Sequence, residues 1–323
     1  MKVGDLYPEG RVSLRELGLR DGLQLTSTWP ATADKMEWIE REFDAGIRHF
    51  EVGSFLPKSR YPQFADISKL IERIGLLPSA KSSALTMNER AVRDALNTQV
   101  DEIVLVVSST EEHSLANIRR GRQASIDLVR HARIERDAAN SMPVVNTAIS
   151  MAFGCSISGQ VDPQEVTGIA VACVEAGAEV IGLADTVGFA GPRQVRRLVQ
   201  EIRRALPGIP LIIHLHDTRG TGIANAAAAL DEGVRILDGT LGGLGGCPFA
   251  PGATGNVAIE DLVFLCERQG FDTGIDLEAL IDVRVVLARS MPGEKLHGSL
   301  ARAGAPKKVS WRARDSANSA ALL

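Results

Sequence analysis

The sequence predicts an α/β protein: a closed (β/α)8 TIM barrel over residues 1–305, followed by a short C-terminal extension at 306–323. Three observations lead there. Eight short runs that read as strands recur at a mean spacing of about 32 residues, the length of one strand–helix unit. The segments between them carry apolar residues at helical period. The glycine-rich turn GxGxxG, which an open doubly wound sheet would carry after its first strand, is absent there.

The runs begin near Val12 (VSLREL), Phe50 (FEVGSF), Ser82 (SSALT), Ile103 (IVLVVS), Val144 (VVNTAIS), Glu179 (EVIGLAD), Leu211 (LIIHLHD) and Ile236 (ILDGTL). Most stay apolar on both faces until their C-terminal ends, as parallel strands covered by helices do. Between the first two, Met36, Ile39 and Phe43 form a helical stripe; after the second, Phe64, Ile67, Leu70, Ile71 and Ile74 form another. The interval between the fourth and fifth strands is the longest, and its charged stretch from Glu111 to Asn140 has room for two helices or one long one. Asp162-Pro163 with Glu165 is a capped helix start, and Gly177 is placed to end that helix. Val195, Leu198, Val199, Ile202 and Leu206 make a stripe behind Gly191-Pro192, and a last helix covers Leu277 to Ser290. From about residue 300 the chain is polar and helix-poor. Ala301 to Val309 is expected to close the domain, and the remaining residues to form a disordered tail.

Composition excludes several classes. The net charge is −4, and aromatics are few at 4%, so nucleic acid is not an expected partner. Four cysteines without a CxxC pair rule out a disulfide scaffold and fit a reducing compartment. The first ten residues lack the apolar core of a signal peptide, no apolar run reaches membrane-spanning length, and Ala-Leu-Leu at the end is not a peroxisomal signal. A cytoplasmic protein with no membrane partner is expected.

In such a barrel, function resides at the C-terminal ends of the strands. His214-Leu215-His216 ends the seventh, and residues two apart in a strand point the same way, so both imidazoles can converge on one ion. Asp21, after the first strand, is a candidate carboxylate ligand. Asn256 is a candidate neutral oxygen ligand or, equally, the N-cap of a helix over Val257 to Cys266. Two His, one Asp and one Asn favour Mg²⁺ or Mn²⁺, with Zn²⁺ or Co²⁺ allowed. Arg20 is a fixed cation beside that site, suited to a carboxylate or a developing enolate oxygen. Glu51 is an acid in an apolar strand and needs a cationic partner, for which Arg20 is placed. Cys247 rides on the loop GGLGGCP, where glycines let backbone approach a ligand, and suits a loop-borne acid or base; Cys155, Cys173 and Cys266 read as buried hydrophobes. Gln24, Ser54 and Thr186, at the same strand ends, are candidate substrate contacts.

Taken together, LRDGLQ, FEVGSF, GLADTVG, HLHD and GGLGGCPFAPGATGN, in this order over residues 10–305, resemble 3-hydroxy-3-methylglutaryl-CoA lyase, of the DRE-TIM metallolyases. The resemblance implies that Asp21, His214, His216 and Asn256 bind a divalent cation. It implies that Arg20 stabilises an enolate with support from Glu51, and that Cys247 transfers protons. The implied reaction is retro-Claisen cleavage of a 3-hydroxyacyl-CoA to acetyl-CoA and a keto acid, with an acyl-CoA as partner and a homodimer as the assembly. Two positions depart from the family pattern: Leu25-Thr26-Ser27 replaces Asn-Glu-Lys after RDGLQ, and Gly182 stands where a serine is common. Both concern the substrate, so a bulkier or less polar acyl group is expected.

Rival readings fit less well. A Claisen-type condensing enzyme such as isopropylmalate synthase would carry an acid after RDG, where Leu23 stands, and a further regulatory domain. A barrel amidohydrolase would carry HxH on its first strand. A barrel that merely binds CoA would not need four ligands plus Arg20 and Cys247.

Overall fold

The computed structural model describes residues 2–139, 142–246 and 255–307. Its strands are β1 (Ser13–Glu16), β2 (His49–Ser54), β3 (Lys81–Leu85), β4 (Glu102–Ser108), β5 (Val144–Ser150), β6 (Val180–Asp185), β7 (Leu211–Leu215) and β8 (Ile236–Gly239). They pair in parallel and in sequence order, and β8 closes on β1, so the predicted barrel is the observed one.

The helices are α1 (Val3–Leu6), α2 (Thr32–Ala45), α3 (Ile67–Gly75), α4 (Glu89–Leu96), α5 (Glu111–Ile118), α6 (Arg122–Ala138), α7 (Pro163–Glu175), α8 (Pro192–Ala205), α9 (Gly222–Asp231), α10 (Ile259–Arg268), α11 (Leu277–Ser290) and α12 (Leu300–Ala303). The stretch after β4 holds two helices, α5 and α6, because Arg119 adopts a left-handed conformation (φ 52°) that ends the first. Asp162 caps α7 through the Gln164 amide at 2.9 Å, as the Asp-Pro pattern predicts. Asn256 is not a helix cap: α10 starts two residues later than predicted, behind Ala258, because Asn256 is held in a bridge to His216. Of the predicted closing segment, residues 301–303 lie in α12, while residues 308–323 fall outside the described part of the chain.

The apolar core fills the layer between the strands and the surrounding helices. Inside the barrel a smaller apolar layer, with Val144, Val180, Ile212 and Ile236, sits at the N-terminal end, and α1 closes that end with Leu6 and Tyr7. No element is predicted for this opening segment. Its place is fixed by long-range contacts, with the Tyr7 ring stacked on His49 (centroids 5.3 Å apart) and the Leu6 carbonyl 2.6 Å from His49 Nε2.

Behind the C-terminal ends of β1 and β8 lies a buried acid cluster. Glu16 Oε1 accepts from the amides of Gly18 (2.6 Å) and Leu241 (3.2 Å), and Glu260 accepts from the Gly242 amide (3.0 Å) and from Arg284 (2.8 Å). Glu42 is buried beside Glu16. Burial raises Glu16 to about 8 against the opposing Gly18 and Leu241 amides, and burial together with Glu16 raises Glu42 well above the carboxylate range. Between the unfolded carboxyl value and the folded one, the native state binds more protons than the unfolded state. The stability from this pair is therefore complete below the unfolded value and lost as pH rises through about 8. Melting curves should show Glu42→Gln declining less than wild type over about pH 6–9; parallel curves would mean that Glu42 does not hold a proton in the native state through that range.

Candidate metal centre and substrate cavity

The turn after β1 carries the first two functional side chains. Its backbone forms one π-helical turn, Gly18–Gly22, in which the amides of Asp21 (2.8 Å) and Gly22 (3.2 Å) share the Leu17 carbonyl. Such turns are rare and concentrate at functional sites. Gly18 is required: a Cβ there would overlap the Trp38 ring and Glu16. The turn aims Arg20 and Asp21 into the barrel mouth. Arg20 Nε donates to Glu51 Oε1 at 2.9 Å, and its Nη1 contacts Asp21 Oδ1. Glu51 is 2% exposed, so Arg20 supplies the counter-charge that burial demands.

Facing this turn, His214 and His216 bring their Nε2 atoms within 3.1 Å of each other, and Asp21 Oδ2 lies 3.7 Å from His216 Nε2. Asn256 donates its amide to Asp21 Oδ2 at 2.8 Å. The candidate ligand atoms of Asp21, His214 and His216 all lie within 4.8 Å of one another. A separation of about 3 Å between nitrogens is what adjacent ligands on an octahedral ion with bonds of about 2.1 Å would have. A proton shared between the two rings would also bring them this close; the Asp21 carboxylate beside them adds the anionic oxygen that a divalent cation takes. The residues fit a divalent cation.

At Asp21 and His216 the electrostatics favour the same state. Burial would raise Asp21, but Arg20, both imidazoles and the Asn256 amide hold it at about 2, so it is a carboxylate at any working pH. Burial and the neighbouring His214 push His216 down to about 4, leaving it neutral and able to ligate. Burial opposes the charged form of His214 too, yet Asp238 and Asp21 raise its value above the usual one.

The site opens into a cavity of about 410 Å³ that Arg20, Asp21, Glu51, His214 and His216 help to line. Gln24 and Thr186 also line it. The Thr186 hydroxyl oxygen accepts from the Met151 amide at 2.9 Å. Ser54 does not reach this wall. A register shift between Glu51 and Ser54 breaks the alternation of β2, and the Ser54 hydroxyl donates to the Leu85 carbonyl at 3.3 Å. Cys247 lies outside the described residues, but its neighbour Gly246 lines the cavity. Gly255 packs so closely on the Gly243 and Gly245 carbonyls that a Cβ would overlap them.

The HMGL-like family profile matches residues 11–287. The chain belongs to the HMGL-like family. A hydroxymethylglutaryl-CoA lyase from Bacillus subtilis is 34% identical over 85% of this chain and 91% of its own length. An (R)-citramalyl-CoA lyase from Chloroflexus aurantiacus is 38% identical over 91% of this chain and 95% of its own. Among solved structures, an HMG-CoA lyase from Acinetobacter baumannii, in complex with coenzyme A and 3-methylmalate, superposes with a TM-score of 0.85 at 33% identity, covering 93% of this chain and 97% of that one. As a member of the HMGL-like family this chain is an enzyme, a carbon–carbon lyase of the acyl-CoA lyase type. Among its described residues no helix is long and apolar enough to cross a membrane.

The strand-end pattern does not mark Arg15, Glu102, Asn146 and Asp238, which form a polar layer below the candidate metal site of this HMGL-like enzyme. For Arg15 and Asp238 the sequence carries a signal, as charged residues inside the apolar runs VSLREL and ILDGTL, but it lies within the strands and not at their ends.

Proposed function

We propose that the protein cleaves a 3-hydroxyacyl-CoA by a metal-dependent retro-Claisen reaction, releasing acetyl-CoA and a keto acid. The observation that carries this reading is the convergence of Asp21, His214 and His216 beside Arg20 at one cavity. A divalent cation, Mg²⁺ or Mn²⁺, held by Asp21, His214, His216 and Asn256 would supply charge that acidifies the 3-hydroxyl and holds the substrate oxygens. Arg20, fixed by Glu51 and unable to deprotonate, donates to the thioester oxygen as enolate charge develops there. Cys247, which follows the cavity-lining Gly246 in sequence, carries the proton to or from the enolate carbon. Gln24 and Thr186 contact the acyl group.

The inner wall supports a substituent larger than methyl at C3. Ala148, Gly182 and Ala184 face the cavity with nothing bulkier than a methyl group, and Leu25, after the first strand, is 48% exposed where the family pattern is polar. The test is a panel of 3-hydroxy-3-substituted glutaryl-CoAs together with citramalyl-CoA, with acetyl-CoA release as readout. At least one member should be cleaved by Mg²⁺- or Mn²⁺-loaded protein, and a chelator should stop the cleavage. Release from none of them, or net condensation of acetyl-CoA with a keto acid, overturns the reading.

Thiol chemistry gives an independent check. Cys173 and Cys266 are buried, and burial pushes both up to about 12. Burial also opposes ionisation of Cys155. Its sulfur nevertheless accepts from the Thr110 hydroxyl (3.3 Å) and the Ser158 and Ile157 amides (3.4 Å each), and the thiol lies below its usual value, though 1% exposure shields it from reagents. A thiol reagent should therefore modify Cys247 first, and acyl-CoA should slow that modification. Equal labelling of all four cysteines would demote Cys247 to a packing residue.

A further inference from the structure

The polar layer under the metal site has an order that the proposed reaction does not by itself explain. Strand register sets His214 of β7 beside Asp238 of β8, and Asp238 beside Arg15 of β1. All three side chains line the barrel interior. The Asp238 carboxylate is used on both sides: Oδ2 lies 3.3 Å from His214 Nδ1, and Oδ1 accepts from Arg15 Nη1 at 3.1 Å. Arg15 is itself held on its far side, by Glu102 at 3.3 Å and the Ser83 hydroxyl at 3.3 Å, and Glu102 accepts from the Tyr7 hydroxyl at 2.8 Å. Asp238 is 6% exposed and Arg15 2% exposed, so neither can swing away to solvent.

From this geometry we propose that Asp238 is a positioning residue for the metal: it holds His214 with its proton on Nδ1, so that the Nε2 lone pair faces the ion, and Arg15 keeps the carboxylate in that role instead of letting it become a ligand. Three features of the layer support this. A carboxylate can only accept, so the ring nitrogen that faces it must be the donor. An imidazole has one proton when neutral, so fixing it on Nδ1 leaves Nε2 unprotonated, and that atom is the one 3.1 Å from His216 Nε2. With Arg15 on Oδ1, Asp238 cannot turn toward Asp21 and His216 without leaving a buried guanidinium short of an acceptor. Outer carboxylates of this kind orient metal-bound histidines generally; here the same carboxylate is tied through Arg15 and Glu102 to Tyr7, at the closed end of the barrel.

This inference rests on the metal site of the proposed function, and its test needs no acyl-CoA. Asp238→Asn keeps the shape but has one acceptor oxygen for two donors, so either Arg15 or His214 meets an NH2 group. The variant should bind Mn²⁺ about 10–100-fold more weakly than wild type. Bound Co²⁺ should give an altered absorption spectrum. In ¹⁵N NMR of the metal-free proteins, recorded where the spectra show each imidazole carrying one proton, His214 should carry it on Nδ1 in wild type and shift toward Nε2 in the variant. Unchanged Mn²⁺ affinity with an unchanged Co²⁺ spectrum overturns the proposal. An Nε2-protonated His214 in wild type does so too, and that measurement decides the matter if the variant fails to fold. A wild type that binds no divalent ion overturns this inference and the metal-dependent reading together. A wild type that binds Mn²⁺ but releases acetyl-CoA from no substrate overturns the reaction alone.

Discussion

Arg20→Met is expected to lower kcat by about 10²–10³ with a much smaller change in KM, the loss typical of one donor that acts on charge formed in the transition state. The same substitution removes the partner of Glu51, which is 2% exposed, and breaking a buried pair from one side costs about 3–5 kcal/mol. Stability and catalysis would then fall together, and a drop in activity would not by itself locate the cause. The double variant Arg20→Met/Glu51→Gln separates them. It removes the stranded charge, so the melting temperature should recover most of the loss while kcat stays low. If the double variant recovers turnover along with stability, Arg20 is a structural cation and the enolate must be stabilised by another group.

Asp21→Asn is the second large effect. The side chain keeps its shape and its place beside Asn256, but the charge that faces His216 at 3.7 Å is gone. Mn²⁺ affinity should fall by more than the roughly 10–100-fold that loss of an outer partner causes, and acetyl-CoA release should reach background at micromolar metal. Acidification of wild type should not reproduce this through Asp21, because Arg20 and the two imidazoles hold that carboxyl at about 2 against the effect of burial. A variant that binds Mn²⁺ as wild type does, by direct titration, would move the metal away from this carboxylate.

Much of this molecule is written in local pattern. Strand and helix periods, spaced by about one βα unit, are enough to specify the barrel, because each period is fixed by which face of an element must be buried. Residue chemistry at the strand ends likewise marks Arg20, Asp21, His214 and His216, since charged groups after apolar runs have few structural reasons to be there. What local pattern could not supply is anything set by contacts between distant segments. The π-helical turn at Gly18–Gly22 needs glycine at its start because Trp38 and Glu16 leave no room for a Cβ there, and Trp38 belongs to another element. The irregular register of β2 turns Ser54 away from the cavity, against strict alternation. Asn256 leaves the helix start because it bridges to His216 and its side-chain amide has a partner in Asp21, 235 residues earlier. Asp238 looks like one acid in an apolar strand until the register of β7, β8 and β1 sets it between His214 and Arg15. Sequence by itself determined which side chains the enzyme has and on which elements they lie; only the closed barrel decided which of them meet, because parallel register and closure are long-range properties that no single segment contains.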